Sequence, residues 1–140
     1  MRRAREFGKG LDTEQQMFLA RLSLSLYDRD PQEVDPTALV RNLGNTMTRF
    51  RHIEGTHFET AFTHLGGYSA VYYSYMWSLV IAKDLFGQFD AARLLSPGVA
   101  RRYREAVLAP GGSKPADALV RDLLGRPFDF RAWEAWLNRN

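Results

Sequence analysis

Residues 64–77 read His64-Leu65-Gly66-Gly67-Tyr68-Ser69-Ala70-Val71-Tyr72-Tyr73-Ser74-Tyr75-Met76-Trp77. The stretch holds four of the chain's six tyrosines behind a histidine and a glycine pair. Its periodicity predicts a long helix from about Ser69 to Phe89. On that helix Tyr68, Tyr72 and Tyr75 would stand at i, i+4 and i+7 and share one face, with Tyr73 and Trp77 packing on the other.

Three phenols in line admit two interpretations. Tyrosine is a poor core residue unless its hydroxyl finds a partner, so the row favours a polar-lined cleft or a partner surface, whereas an aromatic stripe at helical spacing is also typical of core packing. Gly66 and Gly67 permit positive φ and close backbone approach. They would place His64 on a mobile, cleft-closing loop ahead of the helix.

The rest of the chain has helical periodicity and helix start signals, with no competing strand pattern. Five helix starts are predicted from cap residues: Asp12, which is in capping-box register with Gln15, then Asp35-Pro36, Ser96-Pro97, Ser113 and Asp129. Asp30-Pro31, Gly44-Asn45 and Gly125 predict breaks. The fold class is therefore all-α, a multi-helix orthogonal bundle.

Length and composition are those of one globular domain. The 140 residues are 45% hydrophobic, and no repeat, low-complexity run or polar linker marks an internal boundary. We therefore expect a single helical domain over residues 1–140.

The net charge of +3 comes from 19 basic and 16 acidic residues, and the first ten residues account for the excess. Elsewhere the two signs are interspersed, so no nucleic-acid partner is expected. The longest apolar stretch, Ala70 to Ala82, is shorter than the roughly 20 residues that span a bilayer, so no membrane partner is expected either. The absence of cysteine and of an export signal favours a cytoplasmic protein.

The histidine, the glycine pair and the pattern Tyr-x-Ala-x-Tyr-Tyr-x-Tyr-x-Trp resemble the thimet oligopeptidase and oligopeptidase A-like family of zinc metallopeptidases. The resemblance extends over nearly the whole chain, through Phe7 to Ala20, Glu54-Gly-Thr, Val107 to Ser113 and Leu124-Gly-Arg-Pro. It identifies the chain as the C-terminal portion of a larger two-lobed, α-helical peptidase that cuts short peptides in a channel. Many members have one or two more residues between the histidine and the glycine pair.

The resemblance implies roles for seven residues. His64, Gly66, Gly67 and Tyr68 would bind the peptide substrate near the scissile bond. Tyr72 and Tyr75 would be catalytic, one of them donating a hydrogen bond to the developing oxyanion. Arg126 would form structural salt bridges.

The family's zinc site is missing from the sequence. Such a site needs His-Glu-x-x-His on a helix and a downstream glutamate, whereas the three histidines, His52, His57 and His64, are five and seven residues apart. We expect His52 and His57 to be structural. His57 and the nearby Glu59 are expected to form a polar pair at the surface. Zinc would thus belong to the complete enzyme, with no ligands from this chain.

Two hypotheses follow. The chain is part of a metallo-oligopeptidase, inactive alone, whose zinc site lies in a preceding part or on a separate partner chain. Alternatively, it is a non-catalytic helical module that binds peptides or proteins through the tyrosine face. A haem site at His64 has only one histidine and no attachment motif to support it.

Overall fold

The computed structural model describes residues 6–94 and 96–139 and confirms the all-α class, with no strand among these residues. The chain divides into two compact units, Met1–Met76 and Trp77–Asn140. The single domain over residues 1–140 stays a prediction. The α-helices are α1 Lys9–Tyr27, α2 Pro36–Met47, α3 Phe58–Ala61, α4 His64–Tyr68, α5 Ser74–Phe86, α6 Pro97–Tyr103, α7 Ala116–Leu124 and α8 Arg131–Leu137.

Helix α1 supplies most of the core of the first unit. Phe18 and Leu22 are buried, and they pack in one cluster with Val40, Phe62 and Tyr72. The predicted cap at Asp12 is wrong. The helix begins three residues earlier, after Gly8 at φ 76°, and Asp12 lies in the first turn, where a carboxylate favours the helix dipole.

Prolines mark the start of the next two elements. Asp35 caps α2 as predicted, its Oδ1 accepting a hydrogen bond from the Ala38 amide at 2.9 Å. Asp30 caps a 3₁₀ turn, Pro31–Glu33, because α1 has already ended at Tyr27. The turn predicted at Gly44-Asn45 is wrong, since α2 continues to Met47. One glycine in a helix costs only about 1 kcal/mol, which packing around Val40 offsets.

The long helix predicted from Ser69 to Phe89 is wrong. The chain instead forms α4, a 3₁₀ turn at Val71–Tyr73, and α5 from Ser74 to Phe86. Ser69, with φ 47° and ψ −120°, separates α4 from the 3₁₀ turn, because a residue in that conformation cannot continue a helix. The tyrosines therefore lie on three short elements.

In the second unit, α6 begins at Pro97 as predicted and a π-helical turn, Arg104–Leu108, follows it. Ser113 does not cap α7, because Lys114 before Pro115 is extended and the helix starts only at Ala116. Helix α7 ends at Gly125 with φ 71°, as predicted. None of the described helices is both long and apolar enough to cross a membrane.

An ion pair joins α5 to the segment before α8. Asp84, 4% exposed, accepts two hydrogen bonds from the Arg126 guanidinium, at 2.6 and 2.8 Å, and one from the Asp129 amide. The Asp129 carboxylate in turn accepts from the Arg131 amide at the start of α8. The structural role predicted for Arg126 is confirmed. The cap predicted at Asp129 is wrong, because the N-cap residue of α8 is Phe130 and Asp129 lies one residue before it.

Candidate functional site

The rings of His64, Tyr68, Tyr72 and Tyr75 form one group, called here the His64 cluster. The His64 ring lies 5.8 Å from Tyr68, 5.1 Å from Tyr72 and 5.9 Å from Tyr75, measured between ring centroids. Tyr75 lies 5.0 Å from Tyr72 and 6.2 Å from Tyr68. All of these contacts except the tilted His64–Tyr68 pair are edge-to-face, an arrangement that aromatic rings prefer. The structure thus brings together the four aromatic residues that the sequence analysis selected, although not on one continuous helix.

The three tyrosines of the cluster differ in exposure. Tyr72 is 7% exposed and packs on Phe62 at 5.1 Å, and its hydroxyl donates to Gln16 Oε1 on α1 at 3.1 Å. Tyr68 and Tyr75 are 51% and 45% exposed. The cluster therefore has a buried base and two phenols on the protein surface.

The Tyr75 phenol is a hydrogen-bond donor at neutral pH. Partial burial raises its pKa above the ordinary tyrosine value, and a hydrogen bond with Tyr68 and the nearby Tyr68 and Tyr72 phenols raise it further. Because the phenol keeps its proton, it can donate to an oxygen that gains negative charge.

The glycine pair lies inside α4, and neither glycine has positive φ, so the conformational role predicted for them is wrong. The residue of this segment that has positive φ is Ser69. A side chain at Gly66 or Gly67 would meet nothing within 4 Å, so this part of the backbone is open to a ligand. His64 is the first residue of α4 and not part of a preceding loop.

The residues predicted to pack opposite the cluster divide between the two units. Trp77 packs on Phe128 at 5.5 Å within the second unit, while Tyr73 is 48% exposed. Trp77 is 49% exposed, so the packing predicted for Tyr73 and Trp77 covers only about half of each side chain.

His57 and Glu59 form a polar group with Thr37. The Thr37 hydroxyl donates to Glu59 Oε1, and His57 Nδ1 lies 3.3 Å from the same oxygen. Burial raises the pKa of Glu59, but hydrogen bonds from Thr37, its own backbone amide and His57 outweigh burial and leave that pKa below the ordinary value. The Glu59 side chain is only 11% exposed, so the predicted surface pair is correct for His57 alone.

Across residues 6–94 and 96–139, no three histidine, aspartate or glutamate side chains are placed to hold a metal ion. The two buried carboxylates nearest to such a role already have partners, since Asp84 is paired with Arg126 and Glu59 accepts a hydrogen bond from Thr37. The described residues therefore do not fit the zinc ion that the family resemblance implies.

Three residues of α1 that the sequence analysis did not select contact the segment around the cluster. Gln16 binds Tyr72, Ser23 donates to the Ser69 carbonyl, and Tyr27 donates to the Leu65 carbonyl at 2.7 Å. These partners are 38 to 56 residues apart in sequence, so no local spacing could have revealed them.

Comparison with known proteins gives one family. The model of Peptidase family M3 matches residues 1–139. The chain is 31% identical over 124 residues to a mitochondrial intermediate peptidase of Arabidopsis thaliana, covering 88% of this chain and 18% of that protein. It is 31% identical over 119 residues to a thimet-like oligopeptidase of Dictyostelium discoideum, covering 77% of this chain and 17% of that protein.

A shorter match joins the chain to oligopeptidase A of Escherichia coli K12, with 35% identity over 71 residues, covering 49% of this chain and 10% of that protein. In each of these matches the chain spans less than a fifth of the relative's length.

Proposed function

The chain belongs to Peptidase family M3, and on that premise we propose that it forms the substrate-binding portion of a zinc metallo-oligopeptidase that hydrolyses short peptides. The observation that carries the proposal is the His64 cluster, whose half-exposed Tyr68 and Tyr75 rings stand over a buried Tyr72. Half-exposed phenols give a peptide both apolar ring surface and hydrogen-bonding groups.

In this proposal the substrate peptide lies across α4 and the start of α5. His64 and Tyr68 contact the peptide around the scissile bond. The open backbone at Gly66 and Gly67 lets the chain of the substrate approach closely, because no side chain stands in the way.

Tyr75 and Tyr72 are the proposed catalytic pair, and Tyr75 is the donor to the oxyanion. Its phenol is half-exposed and keeps its proton well beyond neutral pH, whereas the Tyr72 hydroxyl is already bound to Gln16. Tyr72 supports the Tyr75 ring at 5.0 Å. A donor already in place costs little reorganisation when charge develops on the substrate oxygen.

The zinc ligands and the general base belong, in this proposal, to residues outside these 140, on a preceding segment or on a separate chain. The described residues supply no metal-binding group. A cytoplasmic location is part of the same proposal.

The test is reconstitution with a polypeptide that carries the zinc-binding part of the enzyme, followed by cleavage of a fluorogenic peptide. We expect Tyr75→Phe to lower kcat by about 10²- to 10³-fold with little change in KM, the loss typical of one oxyanion donor. Tyr73→Phe is the matched control, since Tyr73 is equally exposed but outside the cluster, and it should change neither constant.

A non-catalytic module that binds peptides or proteins is the second candidate, and the exposure of Tyr68 and Tyr75 favours it equally. In that case Tyr75→Phe and Tyr68→Ala would weaken peptide affinity, and no reconstitution would give turnover. Unchanged affinity and unchanged turnover in both variants would reject both functions.

A further inference from the structure

Helix α1 holds the segment of the His64 cluster through one row of polar side chains. Gln16, Ser23 and Tyr27 are spaced by seven and four residues, so they lie along one side of the helix. They bind Tyr72, the Ser69 carbonyl and the Leu65 carbonyl, in that order. The row therefore follows the segment from α4 to the turn at Val71–Tyr73.

Ser23 differs from the other two in burial. It is 0% exposed, among the buried apolar residues Leu19, Ala20 and Leu22 of the same helix. A buried hydroxyl without a partner is costly, so its bond to the Ser69 carbonyl is a required contact and not a surface accident.

The carbonyl that Ser23 binds belongs to the strained residue of the segment. Ser69 has φ 47° and ψ −120°, a conformation that favours glycine and that a residue with a side chain keeps only when its surroundings impose it. The Ser23 hydroxyl is a contact that can impose it.

Ser69 also lies at the point on which the cluster depends. His64 and Tyr68 precede it in α4, and Tyr72 and Tyr75 follow it in the next two elements. A change in the backbone angles of Ser69 would swing the first pair of rings away from the second pair. The ring contacts between His64 and Tyr72 or Tyr75 all cross this turn.

We propose that Ser23 is a positioning residue of the candidate site: its hydroxyl holds Ser69 in its positive-φ conformation and so sets the arrangement of His64 and Tyr68 relative to Tyr72 and Tyr75. That this arrangement matters for peptide binding rests on the proposed function. That Ser23 sets the arrangement of the four rings does not depend on the proposed function.

The first measurement is the NMR spectrum of the His64 imidazole protons in the full 140-residue chain at fixed pH. These protons lie among the Tyr68, Tyr72 and Tyr75 rings, whose ring currents shift them. Ser23→Ala should remove most of that shift. Ser25→Ala is the matched control, since Ser25 is a 2% exposed serine of the same helix with no bond to the Ser69 carbonyl, and it should leave the shift in place. An unchanged shift in Ser23→Ala would overturn the proposal.

The second measurement is a double-mutant cycle with Ser69→Gly, which keeps the carbonyl and removes the strain. If Ser23 acts by holding the strained turn, Ser23→Ala should shift the His64 protons less in the Ser69→Gly background than in the natural chain. Equal effects in both backgrounds would reject the mechanism. If Ser23→Ala fails to fold, recovery of its helical circular dichroism by Ser69→Gly supports the proposal, and failure of both variants to fold contradicts it.

Peptide titration separates this proposal from the function on which it rests. With a peptide substrate of the reconstituted enzyme, Ser23→Ala should raise Kd about fivefold, the fold-change equivalent to one ordinary hydrogen bond, and Ser25→Ala should not. If the natural chain binds no peptide, while Ser23→Ala still removes the His64 shift, the proposed function alone is rejected. Normal affinity and a normal His64 shift in Ser23→Ala would defeat the positioning role alone.

Discussion

Tyr72 and Tyr75 are three residues apart and touch each other, but their hydroxyl groups have different partners. The Tyr72 hydroxyl is bound to Gln16 on another helix, in a residue that is 7% exposed. The Tyr75 ring lies at the surface beside the Tyr68 ring, with 45% of the residue exposed. The same side chain therefore contributes to stability at one position and is available to a ligand at the other.

At the residue scale, we predict that Tyr72→Phe lowers the free energy of unfolding by about 1 kcal/mol, because it removes one hydrogen bond and leaves Gln16 without its partner. Tyr75→Phe should change this free energy by less than about 0.5 kcal/mol, as expected for a half-exposed group. Urea unfolding followed by circular dichroism measures both. If the hydrogen bond to Gln16 is the cause, Tyr72→Phe should lower the free energy of unfolding by less in a Gln16→Ala background than in the natural chain. An equal decrease in both backgrounds would contradict this cause.

The helix boundaries of the first unit have two kinds of cause, local sequence signals and contacts with a distant helix. The cap of α2 combines Asp35 with Pro36, and both signals are local in sequence. By contrast, the break between α4 and the following turn lies at Ser69, where no glycine or proline marks it and a hydroxyl from α1 holds the carbonyl.

At the element scale, we predict that Asp35→Ala lowers the free energy of unfolding by about 1 kcal/mol, since the Ala38 amide loses its acceptor at the start of α2. Asp35→Asn keeps a side-chain oxygen at the cap and should recover most of the loss. Chemical denaturation of the three proteins makes the comparison. An equal loss in Asp35→Asn would mean that charge, and not the capping bond, is the main contribution.

Each of the two compact units has its own long-range polar contacts. In the first unit these are the bonds from α1 to the cluster segment, and in the second unit the main one is the Asp84–Arg126 pair. The Arg126 hydrogen bond, followed by the Asp129 amide, holds the pKa of Asp84 below the ordinary aspartate value although burial opposes this. The carboxylate is thus charged in the folded unit.

At the scale of the whole molecule, we predict that Arg126→Ala lowers the free energy of unfolding of the second unit more than Arg131→Ala does, because the buried Asp84 carboxylate loses its charged partner. A lowered pKa in the folded state contributes stability above the ordinary aspartate pKa, about 3.9, and this contribution is lost as pH falls through the lower folded value. The natural chain should therefore lose stability in acid.

Thermal unfolding between pH 2 and 7 checks this prediction. Arg126→Ala should give a flatter profile below about pH 4 than the natural chain. Arg131→Ala is the control, because Arg131 is 80% exposed and its pair with Asp129 lies at the surface. A comparable loss from Arg131→Ala would show that surface charge, and not the buried pair, stabilises the unit.

The sequence by itself determined the all-α class, the starts of α2 and α6, the end of α7 and the choice of His64, Tyr68, Tyr72 and Tyr75 as a group. Helical periodicity, proline and glycine signals and the spacing of the tyrosines are all local, so they can be read along the chain.

Only the tertiary structure decided how these four residues meet and which phenols are exposed. The predicted single helix would have aligned the tyrosines by its own geometry, whereas in the structure their segment turns at Ser69 and is bound by Gln16 and Ser23 of α1. Bonds between residues 46 and 56 positions apart leave no periodic pattern, because their geometry exists only after α1 has packed against the segment.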